Sequence, residues 1–245
     1  MPGHGQDFIQ TMGNIPVLFL PGTLCTQALF KDQISALEPL APSVEVVQFT
    51  HESSINEMAA LVAQRTPAES GAAIVGFSMG GMVAMALARQ DPGLIAKLAL
   101  LNTNHHAELP GRHAARLKHL EIARTEGMET LFREHYLPRY LYRQDPAHQR
   151  VIVDMAIELG ADCFENQVKA LATRPDSGKT LQAINCPTLI LGSSEDELCP
   201  ARGHVAMNRL VKGSELVLLE ACGHFSTLEQ PEAVNQALCG WYLRD

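Results

Sequence analysis

Between Ala73 and Met82 an apolar run, Ala73-Ile74-Val75, leads into Gly76-Phe77-Ser78-Met79-Gly80-Gly81 and on into an Ala-rich stretch of helix formers. A chain that turns from strand to helix over so few residues must hold the turning residue at strained backbone angles. It can do so only where the neighbours lack bulky Cβ atoms, and Gly76 and Gly80 meet that requirement. The pattern predicts a strand over Ala72 to Phe77 and a helix carried by Met82, Val83, Met85, Ala86 and Ala88 up to Asp91-Pro92-Gly93. The sharp elbow between them lifts the Ser78 hydroxyl above the sheet edge. The first amides of the helix, at the positive end of its dipole, aim at the same spot. Ser78 is therefore a candidate nucleophile, set against an ordinary Gly/Ser turn that uses similar residues.

A serine hydroxyl is a weak nucleophile at neutral pH, so Ser78 requires a histidine base and an acid to orient it, each where a strand ends. Of the ten histidines, one stands in such a setting. Glu215-Leu216-Val217-Leu218-Leu219-Glu220 reads as a strand, and Ala221-Cys222-Gly223-His224-Phe225 follows as a loop before a helix at Gln230-Pro231-Glu232. His224 is the base candidate, preferred to a satisfied loop histidine because it pairs a strand end with Ser78. The acid is expected from the preceding strand, Pro187-Thr188-Leu189-Ile190-Leu191-Gly192, whose exit loop holds Glu195, Asp196 and Glu197. Acids in loops are commonly solvated, so position discriminates better than charge. Asp196 is the candidate and Glu195 the alternative.

Strands are read at Ile15–Leu20, Val44–Phe49, Ala72–Phe77, Lys97–Asn102, Pro187–Gly192 and Glu215–Glu220, with a weak one near Phe8–Thr11. Alternation with helices is the pattern of a largely parallel sheet covered on both faces. From Leu109 to Thr173 the residues favour helix instead. Leu117, Leu120, Ile122, Leu131 and Phe132 mark one stretch, Val151, Met155, Ile157 and Leu159 another, and Asp145-Pro146, Gly160 and Arg174-Pro175 punctuate them. An insertion there would sit over the carboxyl ends of the strands, where ligands of open α/β sheets bind.

These motifs resemble the α/β-hydrolase superfamily, and within it the small capped carboxylesterases and enol-lactonases. Gly76-Phe77-Ser78-Met79-Gly80-Gly81 matches the elbow of that family. Asp196 followed four residues later by Pro200 matches its acid loop, and Gly223-His224-Phe225-Ser226 with Glu229-Gln230-Pro231-Glu232 matches its histidine loop and final helix. The order Ser, acid, His is also the family's. One departure concerns the acid, because the usual spacing of three residues from the strand-ending Gly would select Glu195. The resemblance implies an α/β-hydrolase fold, with a core of residues 1–104 and 181–245 and a helical cap of residues 105–180. It implies a serine hydrolase acting without a cofactor on a carboxylic ester, or a related lactone or thioester, of a small molecule. A catalytically silent binding protein or receptor on the same scaffold is the alternative.

Attack on an ester carbonyl develops a negative oxygen that N–H donors must hold. The amide of Met79, directly after the nucleophile, is one candidate. The other lies in Pro21-Gly22-Thr23-Leu24-Cys25, after an early strand. The family usually has His-Gly-x there; Pro21 replaces the His, so the residue after the Gly is Thr23. Leu24 would take its place under a one-residue loop shift, and Leu24 and His105 are expected to line the substrate pocket. His105-His106 is the most tempting metal pair, yet adjacent residues in an extended loop point apart, and no metal site is expected.

A chain of 245 residues with 46% hydrophobic content can bury one large α/β core. A net charge of −8 without clustered Lys and Arg argues against a nucleic-acid partner. No apolar run of about 18 residues is present to span a bilayer, and the opening residues lack the features of a signal peptide. Six scattered cysteines suggest reduced thiols, and the expected location is cytoplasmic.

Overall fold

The computed structural model describes residues 15–244. Within them six strands, β1 (Val17–Leu20), β2 (Val44–Val46), β3 (Ala72–Phe77), β4 (Ile95–Leu101), β5 (Thr188–Ser193) and β6 (Glu215–Leu219), form one sheet in the order β2-β1-β3-β4-β5-β6. Every pairing is parallel. The weak strand near Phe8–Thr11 lies outside the described residues. The helices are α1 (Lys31–Leu37), α2 (Ile55–Arg65), α3 (Met79–Gln90), α4 (Pro110–Thr125), α5 (Met128–Leu131), α6 (Leu137–Tyr140), α7 (Pro146–Ala172), α8 (Gly178–Ala183), α9 (Ala201–Leu210), α10 (Ser226–Glu229) and α11 (Pro231–Tyr242).

The apolar runs of β1, β3, β4 and β5 are buried on both faces because alternate residues feed two separate cores, while the edge strands β2 and β6 are only partly covered. Val17, Phe19, Ala73, Val75, Ala99 and Leu189 pack with Leu37 of α1 and Val234, Leu238 and Trp241 of α11. Leu18, Leu20, Ile74, Leu98 and Ile190 face the other way, onto Met58 and Val62 of α2, Val83 and Leu87 of α3, and Met207 of α9. β2 is shorter than the apolar pattern suggests. After Val47 donates to the Phe19 carbonyl, the chain leaves the sheet, and the Phe49 carbonyl accepts the Gln167 side chain at 2.9 Å instead.

The strand order reverses between β1 and β3, the switch point where α/β sheets leave a crevice at their carboxyl ends. The loop after β1 and the turn after β3 both open there. Between β4 and β5 the chain is mainly helical, and its buried residues Leu120, Leu131, Phe132, Ile152, Met155 and Phe164 extend the same core as Val17 and Phe19. Leu117 and Ile157, by contrast, remain about half exposed. α7 is broken at Gly160, where φ is 74° and ψ 179°, a conformation that side chains with a Cβ rarely adopt. A π turn over Phe132–Tyr136 lies between α5 and α6. Among the described residues no helix is long and apolar enough to cross a membrane.

Candidate active site

Ser78 stands between β3 and α3 with φ 52° and ψ −113°, a strained conformation for a residue with a Cβ. The surroundings enforce it. A Cβ on Gly76 would lie 2.6 Å from the Gly80 carbonyl oxygen, and one on Gly80 would overlap the Leu20 carbonyl oxygen. Only glycines let strand, turn and helix approach so closely. The Ser78 amide donates to the Leu101 carbonyl at 2.9 Å, and its own carbonyl accepts the Thr103 hydroxyl at 2.6 Å. The hydroxyl is left to the crevice.

His224 Nε2 lies 3.0 Å from Ser78 Oγ, and its Nδ1 lies 2.7 Å from Asp196 Oδ2. His224 and Asp196 are both buried. An ionised carboxylate only accepts, so Asp196 requires the proton on Nδ1 and leaves Nε2 to accept from Ser78. Asp196 Oδ1 takes the amides of Leu198 and Cys199, each at 2.8 Å, and Oδ2 also takes Asn102 Nδ2 at 3.1 Å. Burial alone would push this carboxyl up. The charge and hydrogen bond of His224, with those amides and Asn102, outweigh burial and hold it below the usual range.

Glu195 is exposed, its backbone amide bonded to the Cys222 carbonyl at 3.0 Å. Asp196 takes the inward place because β5 runs one residue beyond Gly192, to Ser193. Counted from the real strand end, the third residue is Asp196. Asn102, at the end of β4 with φ 43°, was not apparent as a site residue. Its side chain also donates to Ser193 Oγ and accepts from Ser226 Oγ, tying the ends of β4, β5 and the His224 loop together. The backbone of that loop is fixed as well: the His224 amide donates to the Tyr140 carbonyl at 2.7 Å. Glu229 receives the amides of both Gly223 and Tyr142.

Met79 and Thr23 line a cavity of about 80 Å³ with Ser78 and His224. Met79 opens α3, so its amide belongs to the unpaired first turn. Leu24 is placed otherwise: its side chain is buried in the core and its amide donates to Gln167 Oε1 at 2.8 Å. His105 borders a separate narrow crevice with Ile55, Met82 and Met85. Walls that the sequence did not indicate include Arg116, Tyr136, Tyr140, Leu171 and Leu198. The rings of Tyr136 and Tyr140, four residues apart where the π turn runs into α6, stack at 5.2 Å. A larger recess of about 730 Å³, between Ala88, Ile95 and Ile184, lies at the amino end of β4, away from Ser78.

Among the described residues, two groups of donor atoms could hold a metal. His105, His106 and Asp176 converge, with His106 and Asp176 exposed; Asp196, Cys199 and His224 form the other. In the second group the Asp196 and His224 atoms are taken by the hydrogen bonds above, and burial pushes the Cys199 thiol up to about 12. Burial likewise raises Cys25 and Cys222 to about 12. The cysteines flanking the site loops are thus poor nucleophiles.

His204 of α9 supports the site from below. Its Nε2 accepts the Thr103 amide at 3.2 Å, and a Cβ on Gly192 would strike its ring at 2.5 Å. Burial, outweighing the charge of Asp196, lowers its pKa from 6.5 to about 4. A histidine with a folded pKa below its unfolded one contributes stability fully present above about pH 6.5 and lost as pH falls toward 4. The expected loss over this window is on the order of 3 kcal/mol. Urea unfolding at stepped pH should reveal it, and His204→Gln should flatten the wild-type slope between pH 6.5 and 4.

The profile of the alpha/beta hydrolase family matches residues 1–237. The pimeloyl-[acyl-carrier protein] methyl ester esterase of Neisseria meningitidis serogroup A is 26% identical over 192 residues, covering 76% of this chain. The matched part spans 59% of that esterase's length. Among solved structures, a thermophilic esterase from Thermogutta terrifontis superposes with a TM-score of 0.82 at 28% identity, covering 94% of this chain and 90% of that one. The enol-lactonase from Burkholderia xenovorans LB400 also reaches 0.82, at 21% identity, covering 95% and 93%, a likeness of fold.

Proposed function

As this chain belongs to the alpha/beta hydrolase family, we propose that it is a serine hydrolase that cleaves a carboxylic ester, or a related lactone or thioester, of a small molecule through an acyl-enzyme on Ser78. The relay from Asp196 through His224 to Ser78, with contacts of 2.7 and 3.0 Å at a strained elbow, carries this reading. Ser78 Oγ attacks the carbonyl carbon while its proton passes to His224 Nε2. The oxygen that becomes negative is held by the amides of Met79 and Thr23. The C–O bond to the alcohol then breaks, and the imidazolium returns its proton to the leaving oxygen. Water attacks the acyl carbon next, giving one proton to His224, and the acid departs as Ser78 Oγ recovers that proton. Asp196 keeps the Nδ1–H in place and stabilises the imidazolium in both halves.

Residues 105–180 serve as a cap over the core in this reading, a role supported by Arg116, Tyr136, Tyr140 and Leu171, which share the cavity with Ser78. A cap excludes water and shapes the acyl and alcohol sites. The side chains and amides named suffice for the chemistry, so a chelator is expected to leave turnover unchanged. A fluorophosphonate is expected to add one phosphonyl group per chain, at Ser78, as read by intact and peptide mass spectrometry. Turnover should appear in a screen of 4-nitrophenyl esters, lactones and acyl thioesters. Labelling at another serine, or none together with no turnover, would overturn the proposal in favour of a silent binding protein.

A further inference from the structure

Resting on that reading, Arg116 indicates which esters fit. Among the described residues lining the cavity over Ser78, it is the one permanently charged side chain; the others, His224 apart, are aromatic, aliphatic, hydroxyl, thiol or thioether. The Arg116 side chain is 20% exposed, and it pairs with Glu108, which is 3% exposed. The same carboxylate oxygen, Oε2, also receives Arg174, which is 4% exposed. Two guanidinium groups share one carboxylate, so these three side chains together retain one positive charge, with Arg116 at the partly exposed end.

Donors for a further partner exist. A guanidinium carries five N–H groups in a planar fork, and within the described residues Arg116 donates from Nη1 alone, to Glu108. Its Nε and Nη2 hydrogens have no acceptor among the described residues. The charge also reaches the cavity. Burial pushes Tyr136 up to about 12 and Tyr140 higher than usual, and Arg116 opposes both shifts; both tyrosines are cavity walls. A fork of free donors beside a small cavity suits a planar carboxylate, which it can grip at two oxygens.

We infer that Arg116 is a substrate-anion subsite: the ester carries a free carboxylate, which Arg116 binds while the ester carbonyl meets Ser78. Glu108 and Arg174 act as positioning residues that hold the guanidinium at the cavity wall.

The test compares the monoethyl esters of succinate, glutarate and adipate with ethyl butanoate, pentanoate and hexanoate, in which a methyl group stands for the carboxylate. Hydrolysis is followed by pH-stat. For the wild type, kcat/KM is expected to favour the best carboxylate ester over its neutral counterpart by about tenfold or more. Arg116→Gln should collapse that ratio to about one, chiefly through KM, and Arg116→Lys, which keeps the charge and a partner for Glu108, should restore part of it. Thermal melts of the variants verify folding. The second arm needs no turnover: calorimetric titration of Ser78→Ala should find the carboxylate ester bound about tenfold tighter than the neutral one, and the Arg116→Gln change in that background should remove the difference. Equal binding of both ester classes, or a preference that survives Arg116→Gln, overturns the subsite. Discriminating binding without turnover upholds the subsite and counts against the hydrolase reading alone.

Discussion

Replacing Ser78 by Ala, or His224 by Ala, is expected to lower kcat by about four to six orders of magnitude, and the double variant to lose little beyond either single one. The reason is that in the proposed relay the two side chains act as one unit. Nε2 is 3.0 Å from Oγ, so removing the base leaves a protonated, weak nucleophile, and removing the hydroxyl leaves the base nothing to activate. Additive losses in single-turnover assays of the three variants would mean that Ser78 and His224 contribute independently, and the relay would be wrong. The residual rate over water should persist in all three, since the amides of Met79 and Thr23 are untouched by either change. Thermal melts should remain near the wild type for Ser78→Ala, because its backbone, not its hydroxyl, bonds to Leu101 and Thr103.

Asp196→Asn should be nearly as severe, at about four orders of magnitude in kcat, while Glu195→Gln leaves activity within a few-fold of the wild type. An amide nitrogen facing Nδ1 would favour the tautomer with its proton on Nε2, the wrong one for taking the proton of Ser78. The change also removes the charge that stabilises the imidazolium. Asp196 is held below the usual carboxylate range, so it stays ionised on mild acidification; the stability from its contacts is present above its unfolded pKa and fades only as pH falls through the depressed value. An active Asp196→Asn enzyme with an inactive Glu195→Gln would transfer the role to a residue that is exposed in this structure.

The elbow was legible because its cause is largely local. Gly76 is needed by its approach to Gly80 and Gly81 a few residues on, while Gly80 also clears the Leu20 carbonyl of β1, a contact that only the folded sheet supplies. The strands were legible for a related reason: sheet residues covered on both faces must be apolar nearly without interruption, as in Ala72–Phe77 and Thr188–Ser193. His224 followed from its place after such a strand. The choice between Asp196 and Glu195 was different in kind, since it turned on β5 continuing to Ser193 and on the amides of Leu198 and Cys199 closing around one carboxylate. Asn102, drawn toward Ser193, Asp196 and Ser226 across 91, 94 and 124 residues of chain, leaves no periodic trace. The cavity walls were hidden for the same reason. Nothing in the sequence marks Arg116 and Glu108 until the fold sets them beside Arg174, and the stacked pair Tyr136 and Tyr140 becomes a cavity wall only where the cap packs over Ser78. Short-range sterics and burial periodicity are written along the chain, whereas the pairing of buried polar groups depends on which distant segments packing brings together, and only the tertiary structure decides that.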